Sequence, residues 1–269
     1  LARKAGIAFV SLGLEDASRS RDDDRVLALK MAREAGADRI RLADTVGILD
    51  PATTARLVRQ ARHHFQGPVA VHCHNDFGLA TANALTALQN GADQVDVSAL
   101  GLGERCGIAR LEEVAAFVQI RRNHPGLNMP AIQMVCRSVA ASIGQAIPPR
   151  KPVCGADIFA AESGLHVHGQ LRDPSLFEPC APERLGSANQ RRLGWGTKSG
   201  RGSLRDLLHQ AHPEGTWDPA SLETLLERVR NRAQALGRPL SQDEVLTLCP
   251  PGAAETASCD REPGQTPRP

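Results

Sequence analysis

The sequence predicts an α/β fold: the second half of a (β/α)8 TIM barrel, about four βα units, followed by small helical subdomains. Three observations carry that prediction. Short apolar runs alternate with stretches of helical periodicity through the first half of the chain. Glycine-bearing helix exits recur ahead of the strands, as Lys4-Ala5-Gly6-Ile7-Ala8, Glu34-Ala35-Gly36-Ala37-Asp38 and Asn90-Gly91-Ala92-Asp93. Polar residues with chemistry to offer gather at or just after the carboxyl ends of the strands, which is the catalytic face of such a barrel.

The elements follow in order. Ile7 to Leu12 reads as an apolar strand running into Gly13-Leu14-Glu15-Asp16, and Arg25 to Ala35 as a helix with Val26, Leu29 and Ala32 on one face. Arg39 to Ala43 is a short strand closing on Asp44-Thr45. Pro51 suits the first turn of a helix that runs to about His64. Val69 to His72 is the third strand, followed by a helix from about Gly78 to Gln89. Gln94 to Ala99 is the fourth, closing on Gly101-Leu102-Gly103-Glu104-Arg105, with a helix from about Leu111 to Arg122.

Residues 1–123 are therefore read as the later half of a barrel. A closed barrel needs eight such units and roughly 250 residues. Leu1 to Gly6 looks like the tail of a preceding helix, so earlier strands are expected ahead of Leu1. A mostly helical region, 124–249, is expected to supply lid and dimerisation subdomains. It holds a helix over Ile132 to Ile147, another containing Asp206 to Gln210, and an amphipathic helix over Ala220 to Leu236. Ser241 ahead of Asp243-Glu244 reads as a helix cap. Residues 250–269, rich in proline, glycine and polar residues, are expected to be disordered.

Composition narrows the functional classes. The 269 residues are 41% hydrophobic, enough for a sizeable core. A net charge of +2 with interspersed signs argues against a nucleic-acid surface or a polybasic membrane patch. No apolar run approaches the roughly 18 residues that a membrane span requires. The seven cysteines show no CxxC spacing, which suits reduced thiols in a cytoplasmic protein.

The most informative segment is Val71-His72-Cys73-His74-Asn75-Asp76, at the end of the third strand. Residues two apart in a strand project to the same side, so His72 and His74 point together while Cys73 points away. Two converging imidazoles make a grip for a divalent metal, with Asn75 and Asp76 adding polar groups beside it. The same spacing equally suits two ordinary surface histidines at a strand end.

Five stretches together resemble the metal-dependent acyl-CoA Claisen-condensing enzymes: homocitrate, 2-isopropylmalate and citramalate synthases. They are Leu14-Glu15-Asp16-Ala17-Ser18-Arg19, Ala43-Asp44-Thr45-Val46-Gly47, His72 to Ala80, Gly101 to Gly107, and Gly155-Ala156-Asp157-Ile158-Phe159 through Glu162 to Gly169. The resemblance implies that His72 and His74 hold Mg²⁺, Mn²⁺ or Zn²⁺, with Asn75, Asp76, Glu104 and Arg105 bracing the site. It implies Thr45 as a binder of the 2-oxo acid carboxylate, and Glu15 and His166 as acid/base residues. His166 would reach a neighbouring subunit's barrel. The implied substrates are acetyl-CoA and a 2-oxo acid, handled by a homodimer. Lacking the leucine-regulated members' further C-terminal domain, the chain most resembles the nitrogenase-associated homocitrate synthases.

Each residue also has a plainer reading. Glu15-Asp16 with Arg19 suits a solvated helix-start cluster, Thr45 a helix N-cap, and Glu104-Arg105 a structural ion pair. His166 and His168 suit a glycine-bounded loop. The chain also departs from the family pattern. Nothing corresponds to the family's opening RD or RE motif with its acidic metal ligand. Ile108 stands where many members carry Asn. The usual GKHSG appears as Gly196-Thr197-Lys198-Ser199-Gly200, and there is no tyrosine.

Overall fold

The computed structural model describes residues 1–124, 126–186 and 191–249, so the tail expected to be disordered lies outside the described residues. Two compact units divide the chain between Cys154 and Gly155.

The first unit is a parallel sheet covered by helices. Its strands β1 (Ser11–Leu14), β2 (Arg39–Asp44), β3 (Val69–Cys73) and β4 (Gln94–Asp96) pair in chain order. Helices α1 (Asp22–Glu34), α2 (Pro51–His64), α3 (Ala80–Gln89) and α4 (Leu111–Arg121) follow the successive strands. This is the four-unit half of a (β/α)8 barrel that the alternating pattern predicts. The glycines at the expected helix exits, Gly6, Gly36 and Gly91, all have positive φ. Asp50 caps α2 by accepting from Thr53 N at 3.0 Å, with Pro51 in the first turn.

Strand alternation splits the sheet into two chemically distinct faces. Ile40, Leu42, Val69, Val71 and Cys73 are buried against Leu29, Leu57, Val58, Ala84 and Ala87 of the helices. Burying each such aliphatic side chain is worth about 1.5–3 kcal/mol. By the same alternation, the opposite face carries Arg39, Arg41, His72, Gln94 and Asp96. Interior layers of a closed barrel come from that face.

Some boundaries differ from the expectations. β1 begins at Ser11 rather than Ile7, because β2 begins only at Arg39 and offers Ile7 to Phe9 no partner; Ile7 and Phe9 are exposed. β4 ends at Asp96, and Ser98 N turns instead to Ala109 O. Helix α5 (Met129–Ser142) starts earlier than Ile132 and stops before Gly144, whose φ is +66°. This first unit reaches beyond residue 123 because α5 belongs to it. Gln133 Nε2 of α5 donates to Val153 O at 2.9 Å, and Lys151 Nζ lies 2.7 Å from Glu112 of α4.

The second unit is mainly helical: α6 (Gly164–Arg172), α7 (Arg201–Ala211), α8 (Pro219–Leu236) and α9 (Gln242–Leu246), with a short parallel pair, β5 (Ala160–Ala161) and β6 (Arg192–Leu193). The predicted stripe of α8, Leu222, Leu225, Val229 and Ala233, is buried around Trp195. Ser241 and Glu244 form a reciprocal capping box on α9. No helix among the described residues is long and apolar enough to cross a membrane.

Candidate metal and substrate site

The two histidines owe their arrangement to strand register. β3 pairs with β4 so that His72 stands beside Asp96, and with β2 so that it stands beside Ala43. His72 Nδ1 lies 3.0 Å from Asp96 Oδ2. The hydrogen bond from His72 and then the charge of Arg41 hold the Asp96 carboxyl below its ordinary range, so it is an acceptor at neutral pH. His74 Nδ1 lies 2.9 Å from the backbone oxygen of Asp44. Both partners only accept, so each neutral ring carries its proton on Nδ1 and presents a lone pair on Nε2.

The rings lie 4.8 Å apart, centroid to centroid, nearly edge to face. Metal-binding histidines ordinarily have such a carboxylate or carbonyl on the nitrogen turned away from the ion. Cys73 points the other way and is buried; desolvation pushes its thiol up to about 12, so it is no ligand. The donor chemistry therefore fits two nitrogen ligands of a divalent ion. Among the described residues no cluster of three or more His, Cys, Asp or Glu side chains could hold one.

The loop after β4 folds back along the end of β3. Asn75 N donates to Gly107 O at 2.9 Å and Ala109 N to Cys73 O at 3.2 Å, which sets Ile108 opposite His74. Asn75 uses its side chain to accept from Ala80 N at 3.1 Å and so starts α3. Arg105 does not pair with Glu104. It grips Asp76 with two bonds of 2.8 Å and donates to Thr45 O at 3.0 Å. That grip keeps the Asp76 carboxyl below its ordinary range. Glu104 stays exposed on the loop. Gly47, at φ +69°, lets Asp76 in: a Cβ there would meet Asp76 Oδ2 at 2.1 Å.

Glu15 and Thr45 meet at the ends of β1 and β2. The Thr45 hydroxyl accepts from Asp16 N at 2.8 Å and donates to Glu15 Oε2 at 3.3 Å. Asp16 pairs separately with Arg19, so Glu15 stands apart from that ion pair. His166 belongs to the second unit. The glycine-bounded segment opens helix α6 rather than a loop, and His166 stacks on Phe177 with ring centroids 4.3 Å apart. His168 pairs with Asp206.

Sequence reasoning missed Arg41, Asp96 and Glu112. The first two were legible in the polar-apolar alternation of Arg39-Ile40-Arg41-Leu42 and Gln94-Val95-Asp96-Val97. Glu112 is fully buried behind the loop, accepting from Leu100 N at 2.9 Å and from Lys151 Nζ at 2.7 Å. An acidic pair at a helix start gives no sign of that burial.

The HMGL-like family profile matches residues 1–139. Homocitrate synthase 1 of Nostoc sp. is 41% identical over 242 residues, covering 89% of this chain and 63% of that protein. 2-Isopropylmalate synthase 2 of Caldanaerobacter subterraneus is 38% identical over 248 residues, covering 92% of this chain and 63% of that protein. A putative (R)-citramalate synthase of Methanosarcina acetivorans is 37% identical, covering 89% of this chain and 49% of that protein. The chain thus spans about half to two thirds of the length of these relatives.

Proposed function

Because the chain belongs to the HMGL-like family, we propose that it serves an acyltransferase that condenses acetyl-CoA with a 2-oxo acid, 2-oxoglutarate first, giving (R)-homocitrate and CoA. The observation that carries the reading is the pair of imidazoles with both Nδ1 atoms committed and both Nε2 lone pairs available. A divalent ion held there supplies Lewis acidity towards the ketone oxygen. Relatives named for 2-isopropylmalate and citramalate synthesis support 2-oxoisovalerate or pyruvate as alternative acceptors. A barrel portion without activity of its own is the remaining alternative.

The protein's own residues do the rest. The Glu15 carboxylate takes a proton from the acetyl methyl group, and the resulting carbon nucleophile attacks the ketone carbon. The new alkoxide is protonated, with His166 assigned to that proton, supplied from a partner subunit of a homodimer. Water then cleaves the thioester, releasing CoA as a thiol. Thr45 offers its hydroxyl to the acceptor's carboxylate. A substrate that takes this hydrogen bond removes it from Glu15 and leaves the carboxylate a freer base.

A thiol-release assay with acetyl-CoA and each 2-oxo acid tests the proposal. Release that depends on 2-oxoglutarate supports it. Faster turnover of 2-oxoisovalerate would reassign the acceptor, and release with no acceptor dependence would overturn condensation.

A further inference from the structure

One guanidinium on the polar face of the sheet has no hydrogen-bond partner. Arg41 Nε lies 3.0 Å from Asp96 Oδ2, close enough for an ion pair but not aligned for a hydrogen bond. Among the described residues no hydrogen bond engages its Nη atoms. The other cations near this face are committed. Arg39 binds Ser11 Oγ at 3.0 Å and Gln94 Oε1 at 2.6 Å, and it lies over the Phe9 ring. Arg105 grips Asp76, and Arg19 grips Asp16.

Register gives Arg41 both room and position. Its neighbours across the strands are Gly13 on one side and Ala70 on the other, so little side-chain volume crowds it. It stands one inward-facing row deeper than His72, about 6–7 Å along the strand. The same oxygen, Asp96 Oδ2, lies 3.0 Å from both His72 Nδ1 and Arg41 Nε. An acceptor whose ketone lies at the imidazole pair and whose tail runs down this face of the sheet reaches the row that holds the guanidinium.

We propose, resting on the condensation reading above, that Arg41 is the residue that selects the acceptor, by binding the distal carboxylate of a dicarboxylic 2-oxo acid. A planar guanidinium meets a carboxylate with two parallel hydrogen bonds. In 2-oxoglutarate two methylene groups separate the ketone carbon from that carboxylate, so one molecule addresses both layers. A branched apolar tail of similar size covers the Nη groups without bonding them, which disfavours monocarboxylic acceptors.

The plainer role, in which Arg41 only braces Asp96 behind His72, makes a different prediction. Bracing affects every acceptor alike, whereas selection changes the ratio between acceptors. The test measures 2-oxoglutarate and 2-oxoisovalerate binding by calorimetry, and KM and kcat by thiol release, for wild type, R41Q and R41K. We expect R41Q to lower the affinity ratio of 2-oxoglutarate to 2-oxoisovalerate about 10- to 100-fold. The loss falls mainly on KM, and R41K recovers part of it. A ratio that R41Q leaves at the wild-type value overturns the assignment even if condensation is observed. If the ratio shifts while no 2-oxo acid releases thiol, Arg41 stands as the carboxylate site and the condensation reading fails.

Discussion

Asp96 on β4 holds His72 on β3 by its Nδ1, across one rung of parallel sheet, at 3.0 Å. The pairing is a consequence of register: a one-residue slip would turn Asp96 to the apolar face and leave the imidazole unanchored. It fixes which nitrogen of His72 is free. Nitrogen-15 NMR at pH 8 is expected to show both His72 and His74 protonated on Nδ1. Asp96→Ala should return His72 to a mixture of tautomers and leave His74 unmoved, since His74 is held by the Asp44 carbonyl.

The loop from Gly101 to Gly107 is held from behind by a buried ion pair. Glu112→Ala would leave Lys151 with Glu113 as its remaining carboxylate and orphan Leu100 N, a cost of about 1–3 kcal/mol read from the urea midpoint. Glu112→Gln, which keeps an oxygen to accept from Leu100 N, should lose less. A Glu112→Gln variant as unstable as Glu112→Ala would show that the bond to Leu100 N is not the source of the cost.

Gly47→Ala attacks the other side of the site. Its φ of +69° and the 2.1 Å approach to Asp76 Oδ2 require either strain or expulsion of Asp76. A loss of about 1–3 kcal/mol is expected in denaturant unfolding. Hydrogen exchange should also report weaker protection of the amides that tie the Gly101–Gly107 loop to β3.

The Asp76–Arg105 grip sets the acid behaviour of the same loop. The hydrogen bonds from Arg105 lower the folded-state value of Asp76. The contribution is therefore fully present above the unfolded carboxylate value of about 3.9 and is lost as pH falls through the depressed folded value. The Arg105 Nε–H resonance should stay protected from neutrality down to about pH 4 and disappear only below it. Loss of that resonance near pH 6 would contradict the assignment.

The sequence carried the fold where local chemistry sets it. Helix-exit glycines, Pro51 behind Asp50, the alternation of Ile40 and Leu42 with Arg39 and Arg41, and the apolar run Val69 to Val71 act through neighbouring residues, so the βα order was legible. Strand ends were not, because they depend on a partner: Ile7 to Phe9 are apolar yet unpaired. At the site, His72 and His74 were legible from same-side spacing. Alternation puts Asp96 on the same face, but its pairing with His72, 24 residues away, is set by register, and Asp44 supplies only a backbone oxygen, so neither anchor's role was legible. Ile132 to Ile147 keeps an apolar rhythm past the point where Gly144 ends the helix.

In the proposed function His72 and His74 together take up a divalent ion. Calorimetric titration of Mn²⁺ or Zn²⁺ into wild type, His72→Ala and His74→Ala tests it most directly. One saturable site is expected in wild type, lost in either single variant while the far-ultraviolet circular dichroism is retained. Equal uptake by wild type and both variants would contradict it.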